Sequence, residues 1–417
     1  MDIGANSAAA CLTHKNLAQL HIKQPEQPVT LLAREGEEED CLDLAKSYEK
    51  ADVRFDGSDQ FLDLTIPQAY VLKSYGGYVD PSLWESGINA ATLAYTLNAY
   101  HTSSDNDNSD SVYGAFNSGI NLGAWHFRAR GNYNWTTDNG SDFDFQDRYL
   151  QRDIPAIRSQ IIMGDAYTTG ETFDSVNVRG VRLYSDSRML PSALASYAPT
   201  IRGVANSNAK VTVTQSGYKI YETTVPPGEF VIDDISPSGF GSELVVTIEE
   251  ADGSKRTFTQ PFSSVVQMQR PGVGRWDFSA GKVIDDSLRS EPNMGQASYY
   301  YGLNNLFTGY TGIQFTDNNY LAGLLGVGIN TSIGAFAVDV THSRAEIPDD
   351  KTYQGQSYRV TWNKLFQDTG TSFNLAAYRY STQDYLGLHD ALVLIDDAKH
   401  LSADEDKNTM QTYSRMK

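Results

Sequence analysis

Trp125-His126-Phe127-Arg128-Ala129-Arg130-Gly131-Asn132-Tyr133-Asn134-Trp135 alternates without a break. Successive side chains of an extended strand point to opposite faces. Trp125, Phe127, Ala129, Gly131, Tyr133 and Trp135 therefore share one face, and His126, Arg128, Arg130, Asn132 and Asn134 share the other. A strand of a soluble sandwich also alternates, but it is usually about 5–6 residues long. Here the alternation is twice that length, and aromatic residues stand at both ends of the apolar face. Lipid outside, water inside and aromatics at the interfaces produce this pattern in a transmembrane β-barrel. On that reading Arg128, Arg130, Asn132 and Asn134 are candidate pore-lining residues. The two arginines could hold an anion, although a wetted lumen explains them more simply.

The same alternation spreads outward. Ala91, Leu93, Tyr95, Leu97 and Ala99 share a face. Val112, Gly114, Phe116, Ser118, Ile120 and Leu122 oppose Tyr113, Ala115, Asn117, Gly119 and Asn121, and a very short connection at Gly123 follows. Thr102 to Ser111 and Thr136 to Asp147 read as long polar loops. Farther on, Trp276, Phe278 and Ala280 resume the pattern. Leu306 to Phe315, the turn Thr316-Asp317-Asn318-Asn319 and Tyr320 to Ile329 make a hairpin. Phe336, Val338 and Val340 alternate after a turn at Ile333-Gly334; Val360 to Leu365 and Phe373 to Tyr380 are further strands. His389 to Lys399 reads as a short helix or a loop.

Between these flanks lies an island of different character, Tyr197 to Gln269. Val211 to Gln215, Lys219 to Val225, Phe230 to Ile235, Leu244 to Ile248 and Arg256 to Phe262 are short strands. Ser216-Gly217, Pro226-Pro227-Gly228 and Ala251-Asp252-Gly253-Ser254 punctuate them, the Asp-Gly step supplying a positive φ at low cost. Short strands at this spacing indicate a β-sandwich inserted into the larger β structure.

The 417 residues suffice for two or three domains. A formal charge of −19 opposes nucleic-acid binding, which wants basic stripes. No apolar run approaches the ~20 residues of a membrane helix. Met1 to Ala10 has neither the basic region nor the apolar stretch of a secretory signal. Residues 1 to 66 are mixed: Thr13 could cap a short helix over His14 to Leu20, Glu35 to Asp40 is an acidic loop, and Asp63 to Ile66 is a strand stopped by Pro67. The 2 cysteines, Cys11 and Cys41, are by composition either one disulfide or two thiols.

Nothing in the sequence reads as an enzyme. Gly-x-Ser-x-Gly, a phosphate-binding loop and His-Glu-x-x-His are all missing. Asp105, Asp107 and Ser109 begin like a calcium loop, but Asp110 stands where the turn demands glycine. No cofactor or metal is expected. Asn134-Trp135-Thr136 and Asn330-Thr331-Ser332 match the glycosylation pattern; in a bacterial barrel they would mean nothing.

In its motifs the chain resembles the outer-membrane usher of chaperone–usher fimbriae. The blocks are Leu64 to Tyr70, Leu83 to Ala90, Ser118 to Trp125 and Leu150 to Ile154. The densest are Met163-Gly164-Asp165 with Arg179-Gly180-Val181, and Tyr197 to Ala205. Gln215 to Tyr221, Val225 to Phe230 and Tyr378 to Thr382 complete them, in order.

The resemblance implies an all-β chain: a partial transmembrane β-barrel with an inserted β-sandwich plug, preceded by the remnant of a periplasmic N-terminal domain. The implied division is 1–66 N-terminal remnant, 67–90 linker, 91–199 first barrel strands, 200–269 plug, 270–400 further strands and 401–417 a polar tail. It also implies a Cys11–Cys41 disulfide in an oxidising periplasm. The implied location is the outer membrane of a Gram-negative bacterium. The implied partners are periplasmic chaperone–subunit complexes, fimbrial subunits and outer-membrane lipid. The implied work is recruitment of those complexes and passage of the fibre through a plug-gated pore, while donor-strand exchange joins the subunits. Against the family pattern, the chain is expected to stop near the middle of the barrel, without a signal sequence and with most of the N-terminal domain missing, and so to be inactive alone. The alternatives are another plugged outer-membrane porin or transporter and a secreted β-sandwich adhesin.

Overall fold

The computed structural model describes residues 12–29, 41–56, 61–67, 70–72, 75, 78–104, 107–237, 242–265, 267–348, 351–366 and 371–400. The chain divides into two compact units, one of Met1–Tyr78 with Thr200–Pro237 and Glu243–Gln260, the other of Val79–Pro199, Ser238–Ser242 and Pro261–Lys417.

In the N-terminal part of the first unit, α1 spans His14–Gln19 and α2 spans Leu44–Ser47. Thr13 caps α1 reciprocally with Asn16: the Thr13 backbone N–H donates to Asn16 Oδ1 at 2.9 Å and Thr13 Oγ1 accepts from the Asn16 backbone. Strands β1 (Asp52–Asp56) and β2 (Phe61–Thr65) form a hairpin. Leu17, Ile22, Leu42, Leu44 and Tyr48 make the small core. Cys41 is described and Cys11 is not, so their pairing lies outside the described residues, as do the acidic run and the polar tail.

The second unit begins with β3 (Ala90–Ser104), β4 (Asp107–Leu122), β5 (Trp125–Thr136), β6 (Gly140–Ile154), β7 (Ser159–Tyr167) and β8 (Asn177–Ser185). A short helix α3 (Ser192–Ala195) follows.

The island comprises β9 (Ile201–Ala205), β10 (Ala209–Gln215), β11 (Tyr218–Val225), β12 (Gly228–Ile232), β13 (Leu244–Glu249) and β14 (Lys255–Gln260). One sheet runs β11-β10-β13-β14 and the other pairs β12 with β9. Val211, Val213, Val246 and Ile248 of the first and Ile201, Phe230 and Ile232 of the second are buried, as alternation requires. Glu250 closes the β13–β14 turn. Its carboxylate accepts from the backbone of Asn206 and Ser207, from Ser207 Oγ at 2.7 Å and from Arg256 at 2.8 Å.

The sheet then resumes with β15 (Gly274–Val283), β16 (Asn293–Gly302), β17 (Phe307–Thr316), β18 (Tyr320–Thr331), β19 (Gly334–Glu346), β20 (Thr352–Phe366) and β21 (Thr371–Ser381). The residues at 388–400 are helical. Among the described residues, β3 to β8 and β15 to β21 form one antiparallel sheet of 13 strands, each paired with its neighbour in that series, and β8 pairs directly with β15 across the insertion. No helix among the described residues is long and apolar enough to cross a membrane, which says nothing of crossing by strands.

Two loops expected from composition are mostly strand. β3 and β4 stay paired out to Ser104 opposite Asp107, and β6 begins at Gly140. Polar side chains do not end a ladder whose backbone groups find partners. β16 carries no strong alternation, because one face mixes Met294, Gln296, Ser298, Tyr300 and Gly302; its two neighbours supply the pairing.

One face of this sheet is apolar and uncovered. Leu93, Leu122, Phe315, Leu321 and Leu325 are at least half exposed. A water-soluble protein rarely leaves so broad an apolar face open, whereas a bilayer solvates it. The other face buries Asp277, Ser279, Gln296, Gln314, Asn330, Asp339 and Arg359 beside Tyr300 and Tyr310.

Candidate functional site: the polar face of the thirteen-stranded sheet

Arg128, Arg130, Asn132 and Asn134 lie on one face of β5, opposite the aromatic face quoted from the sequence. Arg130 Nε donates to both oxygens of Asp147 at 3.1 and 2.9 Å. Asn132 Oδ1 accepts from the Tyr113 hydroxyl at 3.2 Å, and Arg128 turns back to the Phe127 carbonyl at 2.7 Å. The four therefore do not converge on a common point.

Their partners on β6 depend on an irregularity. Arg130 pairs with Asp147, while Gly131 pairs with Phe145, so Gln146 is an extra residue. A bulge of this kind resets the alternation. It brings Asp142 and Asp144 onto the same face as Asp147, Tyr149 and Gln151.

Sequence reasoning missed the main polar network. The loop between β7 and β8, 168–176, folds over the polar face of the later strands. Thr172 Oγ1 and the Tyr300 hydroxyl share a hydrogen bond of 2.6 Å. Glu171 pairs with Arg275, whose guanidinium lies 4.6 Å from the centre of the Tyr300 ring. Tyr300 stacks on Tyr310, ring centres 5.2 Å apart. The Tyr310 hydroxyl donates to Asp339 at 2.8 Å, and Asp339 also accepts from Arg359 Nε at 2.9 Å. Arg359 Nη2 closes the circuit by donating to the Glu171 carbonyl at 2.9 Å. The buried Arg359 guanidinium is tolerated because it meets the Asp339 carboxylate and the Glu171 carbonyl. Phe173 packs below among Val178, Met294, Tyr320 and Leu324, where Leu388, Leu392 and Ile395 of the 388–400 helix also lie. The partners of the 168–176 loop stand more than a hundred positions away in the chain, so no local spacing announces them.

Across β7, β8 and β15, glycines are required. Gly164, Gly180 and Gly281 align across β7, β8 and β15. A Cβ on Gly180 would lie 2.0 Å from the Ala280 carbonyl oxygen, and one on Gly164 2.2 Å from that of Arg148. The strands bend so closely here that only hydrogen fits.

The model of the outer membrane usher protein family matches residues 113–416, and that of the PapC N-terminal domain matches residues 2–99. The chain belongs to the outer membrane usher family. The usher HtrE of Escherichia coli (strain K12) is 66% identical over 417 residues, 99% of this chain and 48% of its own length. The usher MrkC of Klebsiella pneumoniae is 46% identical, covering 82% of this chain and 42% of itself. The fold is similar to a chain of the E. coli P pilus tip assembly intermediate PapC–PapD–PapK–PapG, with a TM-score of 0.59, 31% identity, and coverage of 85% of this chain and 45% of that one. The chain thus spans about half the length of the curated relatives it matches. As an usher it is an outer-membrane protein, and its aromatic outer face suits that setting.

Proposed function

We propose that this usher chain contributes the first strands of a pilus-assembly pore, and that the 200–269 segment is the plug that closes it. The pore would pass fimbrial subunits delivered by a periplasmic chaperone. Residues 1–66 would be the periplasmic end, 67–90 a linker, and 91–199 and 270–400 wall. The observation that carries the reading is the direct pairing of β8 with β15 around an independently cored β unit. A plug needs such an arrangement, since the wall must close without it. The complex named for the similar solved structure contains PapC together with PapD, PapK and PapG, which supports a role in handling chaperone and subunits.

Arg128, Arg130, Asn132 and Asn134 are proposed to face the water of the pore, and Cys11 with Cys41 to be bridged. Among the described residues no cysteine is free, in keeping with the second point. The test of the whole reading is made in the full-length usher carrying this sequence, in an usher-deleted strain. Removal of residues 200–260 should raise ion conductance in planar bilayers and abolish surface fimbriae. Unchanged conductance would refute the plug assignment.

A further inference from the structure

Asn330 is buried, sits on the polar face of β18, and is shared by both arms of the insertion. Its Nδ2 donates to the Tyr197 hydroxyl at 2.9 Å and to the Pro261 carbonyl at 3.1 Å, with the Asn305 carbonyl a longer, shared contact at 3.4 Å. Its Oδ1 accepts from the Ser263 backbone N–H at 3.0 Å. Tyr197 precedes the island, whereas Pro261 and Ser263 follow it. The same Tyr197 donates to the Asn305 carbonyl at 2.8 Å and stacks on Phe262 with ring centres 6.2 Å apart. Farther along the second arm, Gln269 N–H donates to Thr308 Oγ1 at 3.0 Å, and Arg270 Nε reaches back to the Ser196 carbonyl at 2.7 Å.

We propose that Asn330 is the latch of the pore: one wall side chain that ties the incoming and outgoing arms of the plug to β18 and to each other. The inference rests on the plug reading above and adds the residue that holds it. An amide suits the task because it offers two N–H donors and one acceptor on a short, stiff stem. Because the one amide bonds residues on both sides of the island, losing it loosens both arms together. The Asn-Thr-Ser triplet that matched a glycosylation pattern has this structural use instead: Asn330 bonds to both arms, and Thr331 Oγ1 donates to the Gly334 carbonyl at 2.8 Å in the turn beyond.

The experiment uses the full-length usher carrying this sequence in planar bilayers, after heat-modifiability on gels has shown a folded barrel. Asn330→Ala should raise the frequency of spontaneous opening about tenfold, the scale for loss of one or two buried hydrogen bonds. Tyr197→Phe keeps the ring on Phe262 and removes the hydroxyl's two bonds, to Asn330 and to the Asn305 carbonyl, but leaves Asn330 its bonds to Pro261 and Ser263, so it should give a smaller rise; it also serves if Asn330→Ala does not fold. Hydrogen exchange in peptides covering 196–199 and 261–269 should quicken in both variants. Deletion of 200–260 is run alongside. If the deletion opens the pore while Asn330→Ala and Tyr197→Phe gate like the parent, the latch is refuted and the plug stands. If the deletion leaves conductance low, the plug reading itself falls.

Discussion

Gly180 and Gly281 face each other across β8 and β15, with the Cβ position of Gly180 only 2.5 Å from the Gly281 Cα. No rotamer can relieve such a contact, because the obstacle is backbone. Gly180→Ala should therefore cost at least the roughly 1–3 kcal/mol typical of overpacking. The expected readout is loss of the heat-modifiable species. Gly323→Ala is the control, since a Cβ there meets nothing within 4 Å.

Asp339 and Arg359 form a buried pair that also holds the 168–176 loop through the Glu171 carbonyl. Asp339→Ala would leave the guanidinium buried without its carboxylate, at a cost of roughly 3–5 kcal/mol. Urea unfolding followed by tryptophan fluorescence measures this. Cleavage by protease within 168–176 should appear at lower denaturant than in the parent.

Glu250 gives the island an acid-sensitive joint. Hydrogen bonds from the Asn206 backbone and the Ser207 hydroxyl hold its carboxyl down to about 2, against the pull of desolvation, with Arg256 assisting. A carboxyl lowered in the folded state stabilises above its unfolded pKa of about 4.3, and that stabilisation is lost as pH falls toward 2. Residues 200–260, produced alone, should fold and should lose stability between pH 4 and pH 2, as monitored by circular dichroism across that range. Glu250→Gln should flatten this part of the profile. An unchanged slope would assign the acid sensitivity to other carboxylates.

The Cys11–Cys41 bridge, if formed in the exported protein, closes a loop worth roughly 3 kcal/mol by chain entropy. Mass analysis without reductant should find the oxidised pair in periplasmic material. Two alkylatable thiols would overturn it.

Within the 13-stranded sheet, β3 and β21 are each paired on one side only among the described residues. Unpaired strand edges cost several kcal/mol per group in hydrocarbon and recruit other chains in water. The 417-residue chain, expressed alone behind a signal peptide, should aggregate or be degraded and should assemble no fimbriae. A heat-modifiable membrane species with fimbriated cells would contradict this.

What could be read in advance was whatever alternation writes into neighbouring positions. The face of β5 shows in its own eleven residues, and the hairpin of β17 and β18 shows because Asn319 takes the left-handed turn that Asp317-Asn318-Asn319 invites. β16 was not legible, since its inward face follows no hydropathy rule. Nor could the Asp339–Arg359 pair be foreseen, because pairing across a sheet is fixed by register and not by spacing, nor Glu171–Arg275, because it depends on where the 168–176 loop folds back. The usher motifs did flag Gly164 and Gly180, but only the geometry says why: a side chain at either would strike the neighbouring strand's carbonyl.

The direct pairing of β8 with β15 also has a kinetic meaning. Every other neighbour in the sheet closes a short hairpin, whereas this seam must wait for the residues from 186 to 273 to be gathered in. Entropy alone grows slowly with such a loop, by about 0.6 kcal/mol per doubling, but non-local pairing is slow to nucleate. If the inserted unit folds first, only its two arms remain to be drawn together. A lesion in its core, such as Val213→Asp, would then delay completion of the wall before it ever altered the traffic through it.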